Sequence, residues 1–127
     1  MSETKQDIGA PPPVWIGHVV LGVSRYRESL AFFESLGMRT IVANPTLAVL
    51  ELRGGTHIVL RQDADAEPKY IEFDLMVDDL PAQRAALLEA GLEPTTIQKG
   101  RIHSSFEVVE PSGHTLKFND SHVVGVV

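Results

Sequence analysis

The chain contains two segments with the same order of apolar and polar positions. Residues 18–38 and residues 72–92 each begin with alternating apolar residues, continue with apolar residues at helical spacing and end beside a glycine. The segments align without gaps, because Gly37 and Gly91, like the matching positions before them, lie 54 residues apart. A repeat of this kind indicates a duplicated structural unit.

The first unit is predicted to contain a strand, a helix and three further strands. Alternation over 15–23 predicts the first strand, and Ser24 is the expected N-cap of a helix over 25–36 that ends at Gly37. Short apolar runs between turn residues then predict strands at 39–42, 47–53 and 56–61.

The second unit follows the same plan. Residues 70–77 are predicted to form a strand, and either Asp78 or Asp79 is expected to cap a helix that has Pro81 in its first turn. Three strands are predicted after this helix, near 94–98, 101–109 and 114–119. Each unit therefore has the order βαβββ.

Neither unit alone could bury both faces of its elements, so the two are expected to pack as one domain over 14–122. Its predicted parts are module one (14–62), a polar linker (63–69) and module two (70–122), between a flexible N-terminal tail (1–13) and a C-terminal tail (123–127). The C-terminal tail is apolar and is expected to dock on a surface, for which a neighbouring subunit is one candidate.

Composition narrows the classes of function. The 127 residues have a net charge of −6 and include no cysteine, which excludes disulfide scaffolds, thiolate metal sites and cysteine nucleophiles. The acidic balance, without a run of Lys or Arg, argues against nucleic acid or a membrane as partner. The longest apolar stretch, Val14 to Val23, is too short to span a bilayer, and no secretory signal is visible. A cytoplasmic location is expected.

Alternation along the strands places each side chain on one of two faces. The strongly apolar face of each strand is expected to pack on the helices, and the mixed face is expected to line a concave surface. That surface is predicted to carry His18, His57, Val59, Arg61, Glu72, Asp74, Lys117 and Asn119. Polar side chains gathered there need water, a ligand or one another. Met76 and Trp15 are interpreted as core or pocket wall.

The paired modules resemble the vicinal oxygen chelate superfamily, which includes glyoxalase I, extradiol dioxygenases, and fosfomycin and bleomycin resistance proteins. The resemblance covers residues 14–122 and rests on HVVLGVSRYRESLAFFESLGM, FDLMVDDLPAQRAALLEAGLEP and EPSGHTLKF. It implies an α+β fold in which two tandem βαβββ modules form a curved, barrel-like mixed sheet with the helices outside. It also implies a homodimer, with pockets near or across the subunit boundary.

The resemblance further implies a divalent metal held by the first and last strands of each module. The matching positions are His18 and Glu72 on the first strands, and Val59 and Lys117 on the last strands. His57 is the nearest possible ligand to Val59, and His18, His57 and Glu72 together would suit Fe, Mn, Ni or Zn. Family enzymes place Glu where this chain has Lys117, whose ammonium repels a cation and could instead pair with Glu72.

Several hypotheses for function therefore stay open. Lys117 favours a protein that binds a small organic molecule without metal, or a diverged enzyme. Its pocket would be lined by Arg61, Asp74, Met76, Lys117 and Asn119. The alternative is a metal-dependent lyase, isomerase or dioxygenase of the glyoxalase type, in which Glu72 or His103 moves a proton. A third possibility is an assembly or regulatory module without a ligand.

Three other histidines have less defined roles. His103 is either a pocket residue or the exposed start of a strand. His114 follows a turn glycine and is expected to be exposed to solvent. His122, just after the last strand, could reach the mouth of the pocket or a dimer contact.

Overall fold

The computed structural model describes residues 9–121 and contains two modules, each with four strands and one helix. Module one comprises β1 (His18–Val23), α1 (Tyr26–Ser35), β2 (Arg39–Ala43), β3 (Leu47–Glu51) and β4 (His57–Gln62). Module two comprises β5 (Tyr70–Val77), α2 (Leu80–Glu89), β6 (Gln98–Lys99), β7 (Ser104–Val109) and β8 (Thr115–Asp120). A short 3-10 turn over Arg53–Gly55 precedes β4. The predicted tandem βαβββ order is confirmed.

Each module forms its own mixed sheet. Sheet A has the strand order β1-β4-β3-β2, and sheet B has the order β5-β8-β7-β6. The first and last strands of each module run parallel, and the other neighbours are antiparallel. The α+β fold is confirmed, but within residues 9–121 the two sheets do not join into one barrel. β1 and β5 are edge strands with one neighbour each, so the described chain does not close a barrel by itself.

The core lies between each sheet and its helix. Leu21, Leu60 and Phe33 are buried in module one, while Phe106 and Phe118 stack in module two with ring centroids 5.0 Å apart. Phe33 comes from α1, and the other side chains come from the strongly apolar strand faces, as the alternation predicts. The opposite faces, here called the inner faces, point away from the helices.

The two helices begin differently. In α2, the Asp79 carboxylate accepts a hydrogen bond from the Ala82 N–H at 3.0 Å and Pro81 lies in the first turn, which confirms Asp79 as the cap. In α1, the N-cap position is Arg25, not Ser24, and it has no side-chain cap. The predicted cap was wrong, since the cap position lies one residue later, and the Arg25 N–H donates to the Ser112 hydroxyl of module two at 3.0 Å.

A buried polar cluster joins the turn before β8 to the start of α1. We call it the polar bracket, and it consists of Ser29, Glu110, Ser112 and His114. Glu110 accepts hydrogen bonds from the Ser29 hydroxyl at 2.7 Å and from the backbone N–H groups of Ser112 and His114 at 2.9 and 3.2 Å. The bracket therefore ties module two to module one.

His114 was expected to be exposed, and the structure corrects this, since only 1% of the residue is accessible. Its Nδ1 accepts from the Lys69 N–H at 3.2 Å, because a backbone N–H can only donate. Its Nε2 therefore carries the proton and donates to the Gly22 carbonyl at 2.8 Å. A turn residue that would normally face water is buried because the turn packs against β1.

Two predictions concern membrane spans and the C-terminal residues. No helix within residues 9–121 is long and apolar enough to cross a membrane. His122 and the apolar 123–127 tail lie outside the described residues, so their expected contacts stay predictions.

Candidate functional site

A row of charged and polar side chains crosses the inner face of sheet A. The strand register places His18 beside His57, His57 beside Glu51, and Glu51 beside Arg39. The two imidazole rings stack with centroids 5.5 Å apart, and His57 Nε2 lies 3.6 Å from a Glu51 carboxylate oxygen. Arg39 forms an ion pair with the same carboxylate. Both histidines belong to the concave surface predicted from the sequence, whereas Glu51 and Arg39 do not, although alternation along β3 could have found Glu51.

A row of valines lies next to this polar row. Val20 pairs with Val59, Val59 with Val49, and Val49 with Val42. Val20 is 55% exposed and Val42 is also exposed, so the described chain leaves much of this apolar surface in contact with water. Trp15 precedes it and is 68% exposed, which excludes the core position suggested for it and leaves the pocket wall.

The inner face of sheet B is more acidic. Lys117 pairs in register with Asp74 and Glu107, whereas Glu72 lies within a register shift between Tyr70 and Asp74 and is exposed. The suggested Lys117–Glu72 ion pair is not among those formed within residues 9–121. The shift explains this, because it sets Asp74, not Glu72, opposite Lys117.

The predicted pocket residues divide between the two sheets. Asp74, Met76, Lys117 and Asn119 share the inner face of sheet B, where the buried Asn119 amide donates to Asp74 at 2.7 Å. Arg61 is exposed on sheet A, beside Gly22 in the register. His103 lies just before β7, partly buried, with Nδ1 2.9 Å from the Asp120 carbonyl oxygen. A catalytic role for His103 or Glu72 stays a prediction.

The three proposed metal ligands do not meet within one chain. His18 and His57 lie on sheet A, and Glu72 lies on sheet B. Across the part of the chain that the structure describes, no group of three or more His, Asp or Glu side chains could hold a metal ion. The donor set therefore does not fit a divalent metal in a single chain.

Tyr70 forms a side-chain hydrogen bond on the inner face of sheet B. Its hydroxyl donates to a Glu107 carboxylate oxygen at 2.7 Å. This hydrogen bond, with smaller effects from partial burial and from the charges of Glu107 and Asp74, raises the pKa of Tyr70 to about 12. The bond stabilises the fold fully below the ordinary tyrosine pKa near 10, and this contribution is lost as the pH rises through about 12.

Replacing Glu107 with glutamine should lower the pKa of Tyr70 towards 10, because the charged acceptor is removed. Ultraviolet titration of tyrosinate measures this pKa directly, and Tyr70→Phe identifies which transition belongs to Tyr70 and which to Tyr26. The Glu67→Gln variant is the control, since Glu67 is an exposed linker residue. An unchanged Tyr70 transition in Glu107→Gln would contradict the assigned contact.

Comparison with solved structures identifies the architecture. Lactoylglutathione lyase from Agrobacterium tumefaciens superposes with a TM-score of 0.71 at 14% identity, over 87% of this chain and 96% of that chain. A bleomycin resistance determinant encoded on a transposon gives 0.68 at 15% identity, over 86% and 99%. The fold is that of the glyoxalase and bleomycin resistance proteins. The fold predicted from the resemblance is thus confirmed.

A third solved structure shows that proteins with the glyoxalase/bleomycin resistance fold differ in function. An antibiotic binding protein from a Streptomyces species superposes with a TM-score of 0.67 at 17% identity, over 87% of this chain and 98% of that chain. Neither the family models nor the curated proteins yielded a match to this sequence. Because one fold supports both a lyase and antibiotic binders, the function has to be argued from the inner faces themselves.

Proposed function

We propose that the protein binds a small organic molecule in a pocket formed between the inner faces of two copies of the chain. The observation that carries this proposal is that both inner faces are open, since Val20, Met76 and Tyr70 are all substantially exposed. An exposed apolar row next to fixed polar groups is the composition of a ligand pocket wall, and it favours burial against another surface.

The charges of the two faces favour pairing of sheet A of one copy with sheet B of the other. The inner face of sheet A carries two guanidinium groups, from Arg39 and Arg61, against the single carboxylate of Glu51. The inner face of sheet B carries three carboxylates against the one ammonium of Lys117. These carboxylates belong to Glu72, Asp74 and Glu107. Opposite charge on facing surfaces guides association and suppresses the alternative pairings.

The same pairing also supports the alternative function, a divalent-metal-dependent lyase, isomerase or dioxygenase. It would set the carboxylates of sheet B opposite His18 and His57, so that one pocket contained a two-His, one-carboxylate donor set. Lys117 belongs to the same wall and repels a cation, which is why we propose binding without metal.

Elemental analysis of the purified protein separates the two functions, with His18→Ala as the matched variant. We expect the wild-type protein to contain no stoichiometric Fe, Mn, Ni or Zn, and His18→Ala to have the same content. A stoichiometric metal that is lost from His18→Ala would contradict the proposal and favour the metal-dependent enzyme.

Ligand binding can be followed through Trp15, which is the only tryptophan of the chain. Bleomycin is a suitable first probe, because a protein of this fold confers resistance to it. If it binds at the acidic face, Asp74→Ala should weaken binding by about tenfold, or about 1.4 kcal/mol. Glu89→Ala, on the exposed end of α2, is the control and should leave the affinity unchanged.

The homodimer, the domain boundaries 14–122 and the cytoplasmic location stay predictions.

A further inference from the structure

The two hairpins before β4 and β8 are structural equivalents. The backbone N–H of Leu52 donates to the Thr56 carbonyl at 2.8 Å, and that of Glu110 donates to the His114 carbonyl at 2.9 Å. Each turn then has a glycine with positive φ in the same place, Gly55 at 89° and Gly113 at 94°. The position of Leu52 in module one therefore corresponds to that of Glu110 in module two.

The helices opposite these turns correspond as well. At the start of α1 the Ser29 N–H donates a hydrogen bond to the Arg25 carbonyl at 2.9 Å, and at the start of α2 the Gln83 N–H donates to the Asp79 carbonyl at 3.0 Å. Ser29 and Gln83 are 54 positions apart, like the glycines of the repeat. The polar bracket between Glu110 and Ser29 thus has a counterpart between Leu52 and Gln83.

Hydrogen-bonded side chains fill the polar bracket, whereas a groove lies at the counterpart position. Between the hairpin of module one and α2 lies a groove of about 540 Å³, within the range of small-molecule sites. Its apolar lining includes Leu36, Met38, Leu52, Leu75, Val77 and Phe118. Leu52 has no polar group to reach Gln83, so the repeat leaves a cavity at the place that Glu110 fills on the other side.

The mouth of the groove has excess negative charge. Asp78 forms an exposed ion pair with Arg53 at 2.7 Å, and Arg53 lowers the pKa of Asp78. Asp79 adds a second carboxylate, which accepts a hydrogen bond from the Ala82 N–H. None of the ion pairs formed among residues 9–121 includes Asp79. A cationic group is the complement of that carboxylate.

We propose that this groove, whose lining also includes Glu51 and Met76 of the inner faces, is a second binding site for small apolar molecules that carry a protonated amine. The apolar part lies on the partly exposed Leu36, Met38 and Leu52, and the ammonium lies at Asp79. A neutral molecule of the same shape binds more weakly, because it keeps the apolar contacts and loses the charge contact.

The test uses phenethylamine and its neutral analogue phenethyl alcohol, titrated into the full chain and followed by the backbone amide signals of α2 in NMR spectra. Asp79→Asn keeps an N-cap of equal quality and removes only the charge. It should weaken phenethylamine by about threefold to fivefold, as for an exposed ion pair, and leave phenethyl alcohol unchanged. Equal weakening of both probes, or of neither, would overturn the proposed amine selectivity.

The location is tested by filling the groove. Ala86 lines it, and Ala85 lies on the same helix but outside the lining, and both are exposed. Ala86→Phe should weaken both probes by at least about tenfold, whereas Ala85→Phe should not. Unchanged binding in Ala86→Phe, or no binding of phenethylamine to the wild-type protein, would overturn the site. A change of oligomeric mass in Ala86→Phe alone would show instead that the groove contacts a second copy.

Discussion

Replacing Glu110 with alanine is expected to lower the free energy of unfolding by about 3 kcal/mol. The side chain is 1% exposed and accepts from the Ser29 hydroxyl and from two backbone N–H groups. Alanine leaves these donors without their acceptor in a place that water reaches poorly. The loss should appear as a lower urea midpoint with an unchanged slope, measured at one fixed protein concentration.

Two variants show whether the hydrogen bonds of Glu110 are the cause. Glu110→Gln keeps the shape and one carbonyl acceptor, so its cost should be smaller, about 1 kcal/mol. Glu89→Ala removes an exposed glutamate from α2 and should change stability by less than about 0.5 kcal/mol. If Glu110→Ala cost no more than Glu89→Ala, the polar bracket would not contribute to stability.

The order of the elements could be predicted from the sequence because their signals are local, but some bounds were wrong. The strand predicted near 94–98 is only Gln98–Lys99 in the structure, and the strand predicted over 15–23 begins at His18. Asp79 followed by Pro81 predicts the start of α2, and the alternation over 70–77 predicts β5 with its observed bounds. Ser24 carries the same local signal, yet Arg25 occupies the cap position. The Arg25 N–H donates to Ser112, 87 positions away, and local patterns cannot predict such a contact.

The sequence indicates which residue types lie on the inner faces, but not how those residues are arranged relative to one another. Alternation predicts that His18, His57, Asp74 and Lys117 share one concave surface, whereas within residues 9–121 the histidines lie on sheet A and the other two on sheet B. It could not predict the register shift that sets Asp74 rather than Glu72 opposite Lys117. Nor could it predict that the two faces stay apart within one chain, because that depends on how the modules pack.

Replacing Val20 with glutamate is expected to weaken association of two chains by at least about a hundredfold, or about 3 kcal/mol. Val20 lies on the edge strand of sheet A at one end of the valine row, and a carboxylate there would be buried without a partner in the proposed pairing. The fold of the single chain should be unaffected, since this side chain is solvated without a second copy. Sedimentation velocity over a range of concentrations measures the change.

Leu88→Glu is the matched control, because Leu88 is exposed to a similar extent but lies on α2, away from both inner faces. We expect this variant to keep the mass of the wild-type protein, while Val20→Glu shifts to the mass of one chain. Loss of probe binding together with loss of the dimer in Val20→Glu would support a pocket built by two copies. A wild-type protein that is monomeric at all concentrations, or a Val20→Glu variant that stays dimeric, would contradict the proposed pairing of sheet A with sheet B.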